Sequence, residues 1–312
     1  MSDASDITLL VGDNPFHGIS HLSQERARSR GNDVTNPEYA ASLVKLALEN
    51  GAEGFMFSAS EQTLSIIETI SKEGVDMPAG LYALVPYAYE YVRLAVQAGG
   101  ISGLAKIFAK RLVFSGNLKV IAMGMKGVLR MNPLALLKTY LTYEISRINA
   151  ACKKNLKLEA VLLHEIITDM SLALDMDWIF KAYIDFIHKQ GITPGFESRN
   201  FAYLVDKFNE WGIGFQDVIF VAPFNKSGFQ MNPSKKACEK ALTSLPYPNT
   251  VAMSILASGH IKPPDAMEYV ENLPNLAGVV AGVSKERHAR ETFQLLKSRV
   301  RESKNIKVQG RR

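Results

Sequence analysis

The residues able to do chemistry in this sequence gather just after short apolar runs. The first run, Ile7 to Val11, stops abruptly in Gly12, Asp13, Asn14, Pro15, Phe16, His17 and Gly18. Asp, Asn, Pro and Gly also set ordinary turn geometry, so this stretch alone reads equally as an exit turn. Other runs, however, end the same way. "EAVLLHEI" delivers His164 and Glu165, and "GITPGFESRN" delivers Glu197, Ser198, Arg199 and Asn200. "DVIFVAPFN" ends in Asn225 and is followed by Lys226. "TVAMSILASG" ends in Ser258 and Gly259 ahead of His260, and "LAGVVAGVS" ends in Ser284 ahead of Lys285. Ser58, Ser60 and Tyr87 close two more runs. Polar and ionisable groups at so many run ends need partners or a purpose, which favours a site.

Asp13, His17, His164, Glu165, Glu197 and Lys226 are the catalytic candidates. An imidazole exchanges protons near neutral pH, and carboxyl groups serve as acids or bases once their surroundings tune them. His164 has a plainer alternative, a histidine bonded to a neighbouring carbonyl. Successive strand residues face opposite ways, so only one of His164 and Glu165 is expected to face a site. Arg199 either pairs with Glu197 or, with it, clamps an anionic substrate. A desolvated Lys226 would suit a Schiff-base carbon–carbon lyase; otherwise it is a loop lysine. Asp13, His17, His164, Glu197 and His260 offer metal-type donors for a hydrolase or isomerase, although no HxH or HExxH spacing is present. Asn14, Asn225 and His260 are binding candidates. His21, His188 and His288 read as surface or helix residues. Asp175 and Asp177 read as charges at a helix N-terminus.

The elements that must position these groups follow from period. Eight short apolar runs are each followed by a segment whose apolar residues recur every three or four positions. Runs of that kind suit parallel strands covered on both faces. Eight such units in 312 residues predict an α/β fold, a (β/α)8 TIM barrel, more readily than a doubly wound sheet. In such a barrel the site lies at the C-terminal strand ends, where the ionisable ring falls. The whole chain, 1–312, is expected to be one domain. Residues 87–158 form a long helical insertion after the third strand, a candidate lid, and 298–312 a basic C-terminal tail.

Composition bounds the function. Apolar residues make up 47% and charged residues 21%, ordinary for a globular chain with a sizeable core. Cys152 and Cys238 are the only cysteines and their spacing suggests no disulfide framework, zinc site or iron–sulfur site. The acidic opening "MSDASD" is unlike a signal peptide, and no apolar run reaches the roughly 18 residues of a membrane span, so a cytoplasmic location is expected. The net charge of +5 is uneven. Residues 91–143 carry eight Lys or Arg and no Asp or Glu, which leaves the remainder net acidic. Two or three short helices over the barrel mouth would let these cations draw in a phosphorylated or carboxylated substrate. A basic flank or a membrane-surface contact are the alternatives. Nothing interleaves aromatic and basic residues as specific nucleic-acid binding would.

The second half also resembles a known superfamily. "GFESRNFAYLVDKFNE" is similar to the fifth-strand segment of aldo/keto reductases, where a Ser-Asn-Phe triplet precedes a helix. "VAMSILASGHI" and "VVAGVSKERHARETF" resemble their seventh and eighth strands, and "AVLLHEI" their fourth, which ends in a catalytic-site histidine. The similarity runs in order over about 159–296. It implies an oxidoreductase using NADP or NAD, with His164 at the family's histidine. Asn200 would meet the nicotinamide amide and Phe224 would stack on its ring. Ser258, Gly259, Ser284 and Lys285 would approach the phosphates. The family's catalytic Asp and Tyr find no match in "GFMFSASEQ", nor its Lys in "YALVPYAYE", and Arg199 replaces a small serine. The resemblance therefore implies a divergent member, an atypical oxidoreductase acting on a small anionic or phosphorylated carbonyl compound.

Overall fold

Every apolar run found in the sequence is a strand, and each lies parallel to its neighbours. In the computed structural model, which describes residues 7–17, 32–75, 78–87, 96–100, 110, 133–153 and 155–309, eight strands follow one another in order. They are β1 (Thr8–Gly12), β2 (Gly54–Ser58), β3 (Ala79–Val85) and β4 (Leu156–Leu163). Then come β5 (Thr193–Glu197), β6 (Ile219–Pro223), β7 (Thr250–Met253) and β8 (Leu276–Gly282). β8 closes on β1 with Thr8 opposite Gly278 and Gly12 opposite Gly282, so the sheet is a closed barrel. This is the (β/α)8 architecture.

The helices begin where local chemistry starts them. α1 (Pro37–Glu49) opens on proline, and the Asn36 side chain accepts the Tyr39 amide. α2 (Glu61–Glu73) opens on a capping box between Ser60 and Thr63, which accounts for that run-end serine. α3 (Pro133–Ala151) leads into β4, and α4 (Glu165–Ala173) and α5 (Asp177–His188) separate β4 from β5. α6 (Phe201–Glu210), α7 (Lys235–Ser244) and α8 (Pro263–Glu271) follow β5, β6 and β7. α9 (Glu286–Gln309) absorbs most of the expected basic tail, because good helix formers run on to Gln309 without glycine or proline. Asp177 lies in the first turn of α5 as expected, but Asp175 is left-handed (φ 57°) and bonds Lys207 and Trp211 instead. Among the described residues no helix is long and apolar enough to cross a membrane. Of the acid-free stretch at 91–143, only 96–100, 110 and the first part of α3 are described, so the lid expectation lies largely outside the described residues.

Two apolar layers hold the barrel. The inner one contains Leu10, Met56, Leu84, Leu162, Val221, Val251, Met253 and Val280. The outer one joins the strands to the helices and is aromatic around β5 and β6. There Phe196 stacks on Phe180 at 4.8 Å and meets Phe208 edge-on, while Phe220 meets Phe208 at 5.1 Å. β5 thus fixes its outer face through Phe196. On the inner face its neighbour Gly195 has no room for a side chain. A Cβ there would stand 2.3 Å from Leu162 Cδ2 and 2.8 Å from the Ile219 carbonyl oxygen.

Gly195→Ala is expected to destabilise the fold by about 1–3 kcal/mol, the usual cost of overpacking. Urea unfolding checks this, and an unchanged midpoint would contradict the packing. Leu162→Ala in the same chain should recover only part of the loss, because the Ile219 carbonyl cannot move aside.

Candidate active site

The C-terminal end of the barrel gathers six of the ionisable groups expected there. β1 ends directly in Asp13, which is 3% exposed. Its Oδ2 accepts the Ser58 amide at the end of β2 at 2.6 Å and lies 3.0 Å from His17 Nε2. The carboxylate fixes the tautomer: Nε2 carries the proton, and Nδ1 of a neutral His17 keeps the basic lone pair. The His17 ring stacks on Tyr87 from the end of β3, with centroids 5.0 Å apart. The short 3₁₀ turn Asn14–His17 sets this geometry by bringing His17 back over Asp13.

Across the barrel, β4 stops one residue earlier than strand alternation requires. His164 is already the N-cap of α4, and its Nδ1 accepts the Ile166 amide at 3.2 Å. Because β4 has ended at Leu163, strand alternation no longer governs His164 and Glu165, which form the N-cap and first turn of α4. His164 caps a helix and does not bond a neighbouring carbonyl through that nitrogen, so its proton sits on Nε2. Burial is the largest influence on its titration and holds its pKa below the ordinary histidine value. Arg199 adds to this lowering, while Glu165 and Asp13 oppose it.

β5 ends in Glu197, buried and facing the barrel interior as Gly195 does two residues before. Its Oε2 accepts the Glu165 amide at 3.2 Å. Burial first, then the nearby Glu165 and Asp13 charges, push its pKa up to about 8 against the partial opposition of that amide and Arg199. Burial thus favours the protonated form of Glu197. The ion pair expected between Glu197 and Arg199 is not formed. The Arg199 guanidinium bonds the Glu165 carboxylate through Nε, because the helix start brings Glu165 over the end of β5.

Asp169, an unremarkable helix acid in the sequence, organises this corner. Its carboxylate accepts the Ser198 hydroxyl at 2.6 Å and the Asn200 side-chain amide at 2.9 Å. Burial raises its pKa while these bonds restrain the rise. The only hint in the sequence is its place one helical turn after Glu165 on the same face.

Several expected site residues stand elsewhere. Lys226 is 56% exposed and lies 3.7 Å from Glu268 in a groove between α7 and α8 that also contains Lys235, Glu239 and Tyr269. It lacks the desolvation that a Schiff-base lysine needs. Phe224 is fully buried edge-on against Phe201, because it continues the outer face of β6 set by Phe220. Asn225 closes its own loop, with its Oδ1 accepting the Ser227 hydroxyl and the Phe229 amide. Asn14 is exposed beside the mouth. Ser258 and Gly259 form a left-handed turn after β7 (φ 59° and 90°), with exposed His260 next to it. Ser284 is half-buried and Lys285 exposed at the start of α9. Among the described residues no three of the His, Cys, Asp and Glu side chains group as metal ligands, so Asp13, His17, His164, Glu197 and His260 do not form the expected set.

No known protein-family profile matches the sequence, and no curated relative does. The fold, by contrast, has solved counterparts. One is a protein from Pseudomonas aeruginosa assigned as an aldo-keto reductase, with 12% identity, 95% of this chain and 92% of that chain covered, and a TM-score of 0.54. Another is an aldo-keto reductase enzyme from a Medee basin deep-sea metagenome library, with 10% identity, 97% and 92% covered, and a TM-score of 0.50. The likeness is one of fold: the chain has an aldo/keto-reductase-like barrel, as the resemblance of its second half implies.

Two outcomes check the site geometry. Glu197 has a folded pKa above its unfolded one, so its contribution to stability is full below pH 4.5 and is lost as pH rises toward 8. Melting temperature followed from pH 4 to 9 should therefore fall more steeply in the natural protein than in Glu197→Gln; parallel curves would refute the buried, protonated carboxyl. Asp169→Ala should cost about 1–3 kcal/mol by stranding the Ser198 and Asn200 groups, read by urea unfolding.

Proposed function

We propose that this chain is an enzyme of proton transfer, acting on a small carbonyl compound at the C-terminal mouth of its barrel. The observation that carries the reading is a buried Glu197 carboxyl at the end of β5, its pKa pushed up by burial and by the Glu165 and Asp13 charges, in the same ring of strand ends as the Asp13–His17 pair that follows β1. In a closed ring of eight strands, the first and fifth stand opposite one another. A substrate carbonyl between them would accept the Glu197 proton while His17 Nδ1 takes a proton from the adjacent carbon. The C–H bonding pair becomes the new C=C bond, and the carbonyl π pair becomes the O–H bond of an enol. Asp13 holds the His17 ring and stabilises it when it charges.

Oxidoreduction, the activity carried in the descriptions of the fold neighbours, is the second reading. It is favoured by His164 at the end of β4 and by the Ser258–Gly259 turn with Lys285 at the end that would take phosphates. The residues for the nicotinamide ring do not fit it. The Asn200 amide nitrogen is held by Asp169, and no Phe224 face is open. No hydride step is therefore derived.

Proton exchange in D2O separates the two readings. Small aldehydes and ketones incubated with the protein and no cofactor should gain deuterium at the carbon beside the carbonyl, seen by NMR. Glu197→Gln and His17→Gln should each slow this by about a hundredfold, a typical general acid–base contribution. No exchange above buffer, together with NADPH-dependent carbonyl reduction, would transfer the assignment to the oxidoreductase.

A further inference from the structure

Three side chains at the mouth leave an oxygen without a partner among the described residues. Asp13 Oδ2 bonds both Ser58 N–H and His17, whereas its Oδ1 bonds nothing. Glu197 uses Oε2 on the Glu165 amide, and its Oε1 is unbonded. The Ser58 hydroxyl, on the inner face of β2, is likewise unbonded. These residues are 3%, 8% and 7% exposed, so each is more than nine-tenths buried. None of the three oxygens is among the fully enclosed side-chain atoms that lack a partner, so each keeps some accessible surface. Buried polar atoms left open in this way are costly unless a ligand or water completes them.

Their chemistry defines the complement. Asp13 Oδ1 calls for a hydroxyl donor, protonated Glu197 calls for an oxygen acceptor, and the Ser58 hydroxyl serves as either. The inner ring also disfavours an anion. Among the described residues its permanent cation, Arg199, is paired with Glu165, the His164 pKa is lowered by burial, and the Asp13 charge acts on both His164 and Glu197. A phosphate or carboxylate lodged there would meet Asp13 and Glu165 with no uncommitted positive charge among the described residues of the ring to offset them. This runs against the expectation of an anionic substrate.

Resting on the proton-transfer reading above, we propose that the substrate is a neutral α-hydroxy carbonyl compound, a short aldose or ketose in chemical class, and that its carbonyl moves by one carbon. The hydroxyl would donate to Asp13 and the carbonyl oxygen would face Glu197. His17 Nδ1 removes the proton from the hydroxyl-bearing carbon, and Glu197 protonates the carbonyl oxygen, giving an enediol. The neighbouring Glu197 carboxylate, beside both oxygens of the enediol, then takes the proton of the original hydroxyl, released from Asp13, as that C–O becomes C=O. The C=C pair simultaneously takes the proton from His17 at the former carbonyl carbon. Every proton is restored, nothing is oxidised overall, and no co-reactant is consumed.

Glyceraldehyde, dihydroxyacetone, glyceraldehyde 3-phosphate and the hydroxyl-free control butanone, each in D2O with the full chain, test the proposal by NMR. The two neutral hydroxy compounds should interconvert with deuterium uptake, about a hundredfold faster than the control exchanges. Asp13→Asn and Ser58→Ala, shown folded by circular dichroism, should weaken the thermal stabilisation given by dihydroxyacetone. A preference for the phosphate ester would overturn the neutral class. Equal exchange of butanone would overturn the hydroxyl requirement and leave the proton-transfer reading standing. Stabilisation by dihydroxyacetone that Asp13→Asn abolishes, with no exchange in any compound, would support the substrate class and overturn the chemistry.

Discussion

Glu197 sets the terms on which the mouth of this barrel is built. Its carboxyl lies on the inner face of β5, stripped of water, within reach of the Glu165 and Asp13 charges. An isolated buried carboxylate costs several kcal/mol, and neighbouring negative charge adds to that. The fold answers by favouring the protonated form, by offering Glu197 the Glu165 amide, and by tying the Glu165 charge to Arg199. Asp169 in turn holds the Ser198 and Asn200 side chains on either side of Arg199. Each pKa unit of displacement is about 1.4 kcal/mol between the two protonation states. The same displacement that costs stability at high pH keeps an acid available at neutral pH.

Much of the architecture was legible because strand length, apolar character and the following helical period agree at every unit. The polar run ends were legible too, since a barrel collects its strand ends at one face. Pairing within the ring was not. Arg199 stands two residues from Glu197 in sequence, yet the start of α4 brings Glu165 closer, and only the three-dimensional meeting of β4 and β5 decides between them. His164 and Glu165 misled for a related reason: alternation holds inside a strand, and β4 ends at Leu163. Phe224 continues the outward face of Phe220, so alternation applied along β6 would have placed it away from the mouth. Lys226 sits in a loop whose direction no local pattern encodes. Asp169 looked like any helix acid because its partners lie 29 to 31 residues further along the chain.

A shared barrel therefore leaves the chemistry open. The solved counterparts fix the scaffold, and function resides in the groups placed on it. In this chain the second and third strands end in Ser58 and Tyr87, with Asp13 and His17 supplied from the first. In the proposed reading the proton-handling groups are then a pair at the ends of β1 and β5.

Opposition matters physically because an eight-stranded barrel is only wide enough inside for side chains or one small ligand. Placed across the ring, an acid and a base reach two neighbouring atoms of a molecule lying between them, as a concerted proton shift demands. The aromatic layer outside β5, with Phe196 locked on Phe180 and Phe208, keeps Glu197 from retreating. On the other side, Asp13 is held by a backbone amide of β2. Glu197 is thus held on the barrel wall, while His17, in the short turn after β1, is tied to that wall through its contact with Asp13.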